Sequence, residues 1–367
     1  MQSASRPINM LFMLLLWIAS GCASDIPPSG GPTNTDPLRI LFSDPAPLSL
    51  NVSTGIIRLT FNHEVTARQL LNALIFSPSI GVYDITIDGK NAELSLDKPL
   101  ARNQTYSITL NKTLRDNMGR TFAAPYALTF STGATINNST ISGKVINNDF
   151  SPATNALILA FAEDPGTTGT GDLLQNIPDY LVQADITGTF SFHHIAAGSY
   201  RIIAINDKNN DLHFAPGSEE IGLCSTALVP TGSANLIFRF SELSRKSQPS
   251  SVKTPPAPSE TGGISGRCFA SGEEIVVEAS TPTASFSTTA SRNKKGVFHY
   301  SFKELPPGSY TISAYSSNRK KNETKSPWNP GSVNPFLPAE PFGYYPEKVT
   351  VRAHWSAEHI DIHIKVL

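Results

Sequence analysis

"GTFSFHHIAAGSYRIIA", residues 188–204, recurs in altered form as "GVFHYSFKELPPGSYTISA", residues 296–314. When the copies are aligned on Gly-Ser-Tyr, each has apolar residues at alternate positions, a turn that contains glycine, and a second alternating run. Alternation at period two buries one face of a strand, and the turn returns the chain beside it. The repeat therefore predicts two copies of one β-sandwich.

The repeat extends to both ends of each copy. "TISGKVI" (140–146) matches "GISGRCF" (263–269), and "ANLIFRF" (234–240) and "EHIDIHIKV" (358–366) are the closing strands. The two copies, 138–243 and 263–367, resemble the transthyretin-like, carboxypeptidase-regulatory-like or collagen-adhesin B-type β-sandwich. The Pro- and Ser-rich segment 244–262 between them is typical of a semi-rigid linker.

Residues 38–133 contain further short alternating runs, among them "IIRLTF" (56–61) and "TYSITL" (105–110), and one candidate helix, "TARQLLNAL" (66–74). The closing stretch "RDNMGRTFAAPYALTFSTG" follows the same pattern of turns and strands. Together these motifs resemble the bacterial Ig-like domain first associated with surface-layer proteins. The predicted fold class is all-β, with tandem Ig-like and transthyretin-like β-sandwiches.

The N-terminus indicates export and a lipid anchor. Ten apolar residues, Met10–Ala19, follow Arg6, whereas a membrane-spanning helix needs about 20. Ala19-Ser20-Gly21-Cys22 resembles the bacterial lipobox, which implies a signal peptide over 1–21, a lipid on Cys22 and a Pro/Gly-rich tether over 22–37. An ordinary signal peptide is the alternative. The expected location is the cell envelope, at the outer membrane or cell surface, with the membrane as a partner through that lipid.

Charge and cysteine content exclude two classes of protein. Lys and Arg total 29 and Asp and Glu total 30, so no basic field favours nucleic acid as a partner. Besides Cys22 only Cys224 and Cys268 remain, too few for a disulfide-stapled scaffold, and whether they pair is left open.

One loop has the spacing of a calcium site. Calcium takes six to eight oxygen ligands, often from alternate residues of a loop with a later glutamate. The alternative is a polar hairpin, since Asn and Asp also stabilise turns and Leu212 stands where such loops need glycine. Calcium is the one cofactor predicted, and its candidate ligands are Asp207, Asn209, Asp211, Glu219 and Glu220.

The last candidate site is an aromatic segment, residues 325–348, stiffened by prolines. Such aromatics can stack on sugar rings or anchor a partner protein, and the alternative is that they fold back over the open end of the third sandwich. The five aromatic residues are Trp328, Phe336, Phe342, Tyr344 and Tyr345.

Catalytic motifs are missing from the sequence. It has no Gly-x-Ser-x-Gly elbow and no HExxH, and His359 and His363, four apart on a predicted strand, would lie about 13 Å apart. The sequence thus predicts a non-enzymatic cell-envelope lipoprotein that acts as a structural or protein-interaction module. The alternative is a glycan-binding or glycan-processing accessory that uses the aromatic segment.

Overall fold

The computed structural model describes residues 36–111, 114–123, 126–154, 156–163, 173, 176–208, 218–241, 260–272, 274–317 and 328–364. Residues 38–367 form one compact unit, and every strand of the described residues lies in it. The predicted signal peptide, Cys22, nearly all of the tether, Asn209, Asp211 and most of the 244–262 linker lie outside the described residues. The described part is almost entirely β-structure, which confirms the all-β prediction.

The first sandwich contains seven strands and one short helix. Its two sheets have the orders β1-β2-β5-β4 and β3-β6-β7, with antiparallel neighbours throughout. The elements are β1 (Ile40–Asp44), β2 (Ile56–Phe61), α1 (Ala67–Leu71), β3 (Leu74–Ser77), β4 (Tyr83–Asp88), β5 (Asn91–Leu96), β6 (Thr105–Leu110) and β7 (Tyr126–Ser131).

Helix α1 is shorter than the sequence predicts. The Thr66 hydroxyl accepts a hydrogen bond from the Gln69 amide, and the Gln69 side chain accepts one from the Thr66 amide, so a capping box fixes the start. The helix ends at Leu71, and the prediction of helix as far as Leu74 is wrong. Leu74 instead pairs with Leu110, because its backbone completes the edge of the second sheet.

The eight strands of the second sandwich are hydrogen-bonded into one sheet, in the order β10-β9-β12-β13-β15-β8-β11, with β14 paired to β12. Its last strand, β15, runs parallel to its first, β8. The strands are β8 (Ser139–Ile146), β9 (Leu157–Ala162), β10 (Tyr180–Gln183), β11 (Thr189–Ile195), β12 (Ser199–Ile205), β13 (Ile221–Leu223), β14 (Val229–Pro230) and β15 (Leu236–Ser241).

The third sandwich has two five-stranded sheets and a small hairpin, β22-β23. One sheet is β19-β20-β16-β26 with β27 on β16, and the other is β18-β17-β21-β24 with β25 on β21. The strands are β16 (Gly262–Phe269), β17 (Glu274–Ser280), β18 (Ser285–Thr289), β19 (Ser291–Arg292), β20 (Phe298–Leu305), β21 (Gly308–Ser317), β22 (Ser332–Val333), β23 (Phe336–Leu337), β24 (Phe342–Tyr344), β25 (Val349–Val351), β26 (Ser356–Ala357) and β27 (Ile362–His363).

The repeated motif forms the same unit in both copies. In each, a strand pairs with the first strand of its sandwich and a turn leads into the next strand, as β11-β12 and β20-β21. The tyrosine of Gly-Ser-Tyr is buried in both copies. Tyr200 donates its hydroxyl hydrogen to the Ala196 carbonyl at 2.7 Å, and Tyr310 does the same to Pro306 at 2.8 Å. This shared bond closes the turn and explains the conserved spacing between the copies.

The closing strand of the third sandwich begins later than "EHIDIHIKV" predicts. Within residues 358–364, the described part of this stretch, Ile362 and His363 form the strand, and His359 before them has a φ of 63° that interrupts the extended backbone. Asp361 is held by Arg267, which donates from its amide and its guanidinium. The Asp361 carboxylate is thus part of an ion pair with Arg267.

The first and second sandwiches meet through polar contacts at strand edges. The Ser77 hydroxyl donates to the Leu181 carbonyl at 2.8 Å and accepts from the Leu181 amide at 3.0 Å. The Asn137 amide donates to the Thr105 hydroxyl at 2.9 Å. Because Leu181 lies on the edge strand β10, the Ser77 hydroxyl satisfies backbone groups that would otherwise face solvent.

Candidate functional site

The aromatic segment lies between the second and third sandwiches. The indole nitrogen of Trp328 donates to the Glu340 carbonyl at 2.8 Å, and its ring meets Phe342 edge-on with centroids 5.2 Å apart. Phe342 is buried and belongs to β24 of the third sandwich. The segment is therefore folded onto its own sandwich at one end.

Arg239 of the second sandwich lies between two of the neighbouring rings. Its guanidinium carbon is 4.4 Å from the Phe150 ring centroid and 4.9 Å from that of Trp328. One guanidinium nitrogen donates to the Asn148 carbonyl at 3.1 Å and to the Asn148 side-chain oxygen at 2.7 Å. Phe150 also stacks on Tyr344 of the third sandwich, with their ring centroids 5.2 Å apart. We call this contact the aromatic joint, formed by Asn148, Phe150, Arg239, Glu278, Trp328, Phe342 and Tyr344.

Two opposite charges in the same joint, Arg239 and Glu278, influence each other electrostatically. Burial lowers the pKa of the Arg239 guanidinium to about 10, while the charge of Glu278 on β17 opposes that shift. Burial likewise raises the pKa of the Glu278 carboxyl, opposed by Arg239 and by a hydrogen bond from Tyr315. A charged group in such surroundings is costly without its partner, so each of these charges depends on the other.

Two apolar clusters extend the joint. One combines Ile146 of the second sandwich with Val276, Tyr315 and Phe342 of the third. In the other, the region around the β22-β23 hairpin covers the outer face of the sheet of the second sandwich. There the Ala339 amide donates to the Cys224 carbonyl at 3.0 Å. This second cluster consists of Leu157, Leu159, Phe161, Ile203, Ile205, Ile221, Leu223, Val333 and Ala339.

The structure places the five predicted aromatic residues in three different surroundings. Trp328, Phe342 and Tyr344 are in the aromatic joint, and Phe336 packs beside it under the guanidinium of Arg201 at 5.4 Å. Tyr345 packs instead against the core of the third sandwich. Folding back over the third sandwich thus accounts for Tyr345, whereas the other four contact the second sandwich. Their predicted role in binding stays a prediction.

The partners of the aromatic segment in the second sandwich were not predicted, although the sequence contains one signal for them. The strand β9 reads "LILAFA" without alternation, and both of its faces are buried. A continuous apolar run is typical of a strand covered on two sides. Arg239 and Phe150 carry no comparable signal, because their contacts span two separate domains.

The predicted calcium loop is described only at its ends. Glu219 is buried and accepts a hydrogen bond from the Lys208 amide at 3.1 Å. Glu220 accepts from the Asn206 side chain at 2.7 Å and lies 3.8 Å from the Lys208 ammonium. No group of three or more His, Cys, Asp or Glu residues is placed to hold a metal within the described part of the chain. The site therefore stays a prediction that depends on Asn209 and Asp211.

The two described cysteines are not bonded to each other. Cys224 and Cys268 are both buried free thiols, and burial raises the pKa of Cys224 to about 11 and of Cys268 to about 12. Thiols with raised pKa values are poor nucleophiles at neutral pH. Among the described helices, none is long and apolar enough to span a bilayer.

Comparison with known proteins places one segment in a family. Residues 34–132 match the bacterial Ig-like domain, so the first sandwich is a domain of that kind. No curated protein matches the chain.

Solved structures give only distant likenesses. The N-terminal part of the bacterial S-layer protein SbsC is 13% identical with a TM-score of 0.20, covering 55% of this chain and 44% of its own length. An Escherichia coli alpha-2-macroglobulin fragment spanning domains MG0-NIE-MG1 is 11% identical with a TM-score of 0.21, covering 77% and 95%. An L,D-transpeptidase from Mycobacterium smegmatis is 14% identical with a TM-score of 0.21, covering 56% and 90%. The chain thus spans less than half of the S-layer fragment, and no role is carried over from these proteins.

Proposed function

We propose that this protein is a non-enzymatic lipoprotein of the cell envelope, anchored through Cys22, whose β-sandwiches form a structural or protein-interaction module. The Ig-like domain at residues 34–132 is consistent with such a module. In this proposal the acyl chains hold the N-terminus at the membrane, and the tether sets the distance to the first sandwich.

The observation that supports a structural role is the aromatic joint. Tandem domains joined by a linker alone move independently, and a small polar contact does little to stop them. Here the second and third sandwiches share two apolar clusters and a guanidinium that contacts two aromatic rings. A contact of this kind fixes one domain against the other, which suits a protein that presents a surface at a set position.

The anchor is tested by replacing one cysteine and comparing it with another. Cys22→Ser is expected to abolish incorporation of labelled palmitate and to move the protein out of the membrane fraction. Cys224→Ser is the matched control, because it changes a buried thiol and leaves the predicted lipid site intact. Palmitate labelling that persists in Cys22→Ser would contradict the anchor.

The interaction role is tested separately, in intact cells. Cross-linking followed by mass spectrometry is expected to recover one envelope protein with the wild type. Arg239→Met, which weakens the aromatic joint, should reduce that yield, while Arg58→Met in the first sandwich should not. Equal yields from both variants would mean that the joint does not position the interacting surface.

A further inference from the structure

A cleft opens at one end of the aromatic joint. Its volume is about 730 Å³, within the range of about 300–1,000 Å³ that is usual for small-molecule sites. The second sandwich forms one wall and the third sandwich the other. The lining residues that matter here are Asn147, Asn148, Asp149, Ser280, Ser309, Thr311 and Lys348.

The strand register explains why the cleft lies there. On β17 and β21 the cross-strand pairs Val276–Tyr315, Glu278–Ser313 and Ser280–Thr311 follow one another on the same face. The first pair is in an apolar cluster with the second sandwich, and Glu278 of the second pair interacts with Arg239. The third pair comes after the apolar contact has ended. The face thus changes from closed and apolar to open and hydroxyl-lined within five residues of β17.

The wall of the third sandwich carries hydrogen-bonding groups in a regular row. Ser309 and Thr311 are two apart on β21, so their side chains point to the same side at a spacing of about 7 Å. Ser280 lies directly across from Thr311. Ser309 is exposed, and Ser280 and Thr311 are half-buried.

The facing wall is a turn of the second sandwich. Asp149 accepts hydrogen bonds from the amide and hydroxyl of Ser151, which fixes the turn. The side-chain amide of Asn147 donates to Ser151 and to the Pro152 carbonyl. A turn held by its own side chains presents its polar groups in a set arrangement, which lowers the cost of ordering them around a ligand.

The charges in the cleft balance. Asp149 and Glu220 supply two carboxylates, and Arg239 and Lys348 supply two cations. The carboxylates would repel a polyanion, and the cations would repel a polycation. Polar and apolar groups line the cleft in comparable measure, and the Phe150 ring in it already contacts Arg239 and Tyr344. A ligand rich in hydroxyls and without a large net charge fits these walls.

We infer that this cleft is a saccharide-binding site of the second and third sandwiches. It takes an uncharged oligosaccharide, whose hydroxyls donate to the carboxylates and accept from Lys348, while Ser280, Ser309 and Thr311 bond along the other wall. Because the site lacks a free aromatic face for stacking, binding is weak, with a Kd on the order of 1 mM. The inference does not depend on the lipid anchor.

The test uses the full chain in a detergent without a sugar head group. Three probes are titrated by calorimetry: maltotetraose, chitotetraose, and a tetrapeptide of Ser, Lys and Glu residues. The wild type is expected to bind at least one tetrasaccharide and not the tetrapeptide. Binding of the tetrapeptide alone, or of no probe, would overturn the inference.

Variants then place the binding in the cleft. Ser280→Ala with Thr311→Val removes two hydroxyls from strand positions and should weaken saccharide binding about tenfold, since a neutral hydrogen bond contributes roughly a factor of 2 to 10. Ser309→Trp should abolish it by filling the cleft. Ser287→Ala with Thr289→Val is the matched control on exposed positions of β18 and should leave it unchanged. Equal affinities for the cleft variants and the control would show that any saccharide binds elsewhere.

Discussion

Replacing Arg239 with methionine should loosen the second sandwich from the third. Methionine keeps much of the side-chain volume but removes the cation between the Phe150 and Trp328 rings and the hydrogen bonds to Asn148. It also leaves the Glu278 carboxylate without its cationic neighbour. The joint therefore loses several interactions through one change.

The expected loss follows from those interactions. The hydrogen bonds from a charged donor contribute about 2 kcal/mol, the two ring contacts together about 1.5 kcal/mol, and the half-buried Glu278 adds about 1 kcal/mol when unpaired. Apolar packing of the methionine offsets about 1.5 kcal/mol. The free energy that holds the joint should thus fall by about 3 kcal/mol, a shift of roughly 1.5 M in the urea midpoint at an m-value of about 2 kcal/mol/M.

The fluorescence of Trp328 can report on the joint directly. The chain has three tryptophans, of which Trp17 leaves with the proposed signal peptide, and replacing the exposed Trp355 by phenylalanine leaves Trp328 as the reporter. Arg58→Met is the control, because Arg58 forms surface pairs with Asp44 and Glu93 that contribute at most about 1 kcal/mol. If Arg239→Met and Arg58→Met change the Trp328 transition equally, the guanidinium does not hold the joint.

A second change separates charge from packing. Glu278→Leu in the Arg239→Met background removes the carboxylate that has lost its cationic neighbour, so it should recover about 1 kcal/mol of the loss. The double variant should therefore unfold at a higher urea concentration than Arg239→Met alone. A further loss of stability would mean that Glu278 is stabilised by groups other than Arg239.

Two more predictions concern the other sandwiches. Millimolar calcium should raise the melting temperature of the wild type but not that of Glu219→Gln. Magnesium should have no effect on either protein. Equal melting temperatures with and without a chelator would show that the protein binds no calcium. In the first sandwich, burial alone would raise the pKa of Asp116, but hydrogen bonds from Arg120 and Met118 outweigh it and lower the pKa below 3.8. The stabilisation by these hydrogen bonds to the ionised Asp116 carboxylate is present above the unfolded-state pKa of about 3.9 and is lost as the pH falls through the native pKa. Asp116→Asn should lower the free energy of unfolding by about 2 kcal/mol at pH 7 and should reduce its further decrease in acid. Hydrogen exchange of the β6 amides measures both effects. An exchange profile that matches the wild type would contradict the role of Asp116.

The strands with clear alternation could be predicted from the sequence. "IIRLTF" and "TYSITL" coincide with β2 and β6, because one face of each strand packs on the core of the first sandwich. Strand β3 was missed, since "ALIF" continues the apolar spacing of the helix before it. The decision between helix and strand there is made by pairing with β6, a contact more than thirty residues away in the chain.

The candidate site was predicted in composition but not in position. The aromatic segment was recognised by its residues. The sequence does not show whether these residues form a free surface or contact the second sandwich, which lies on the other side of the 244–262 linker. Arg239 belongs to the closing strand "ANLIFRF", where an alternating pattern would assign it to the solvent side. That assignment holds for the isolated second sandwich and changes only when the third sandwich covers the strand.

The outer faces of the two repeats show why a copy of the same fold can acquire a new contact. The inner faces keep their pattern, because Tyr200 and Tyr310 close equivalent turns over equivalent cores. The outer face of β9 and β12 instead carries Leu157, Leu159 and Ile203, which would be exposed in a free sandwich. Their burial under the β22-β23 hairpin region removes a large apolar surface from water, and that burial, more than the linker, determines that the two copies stay together.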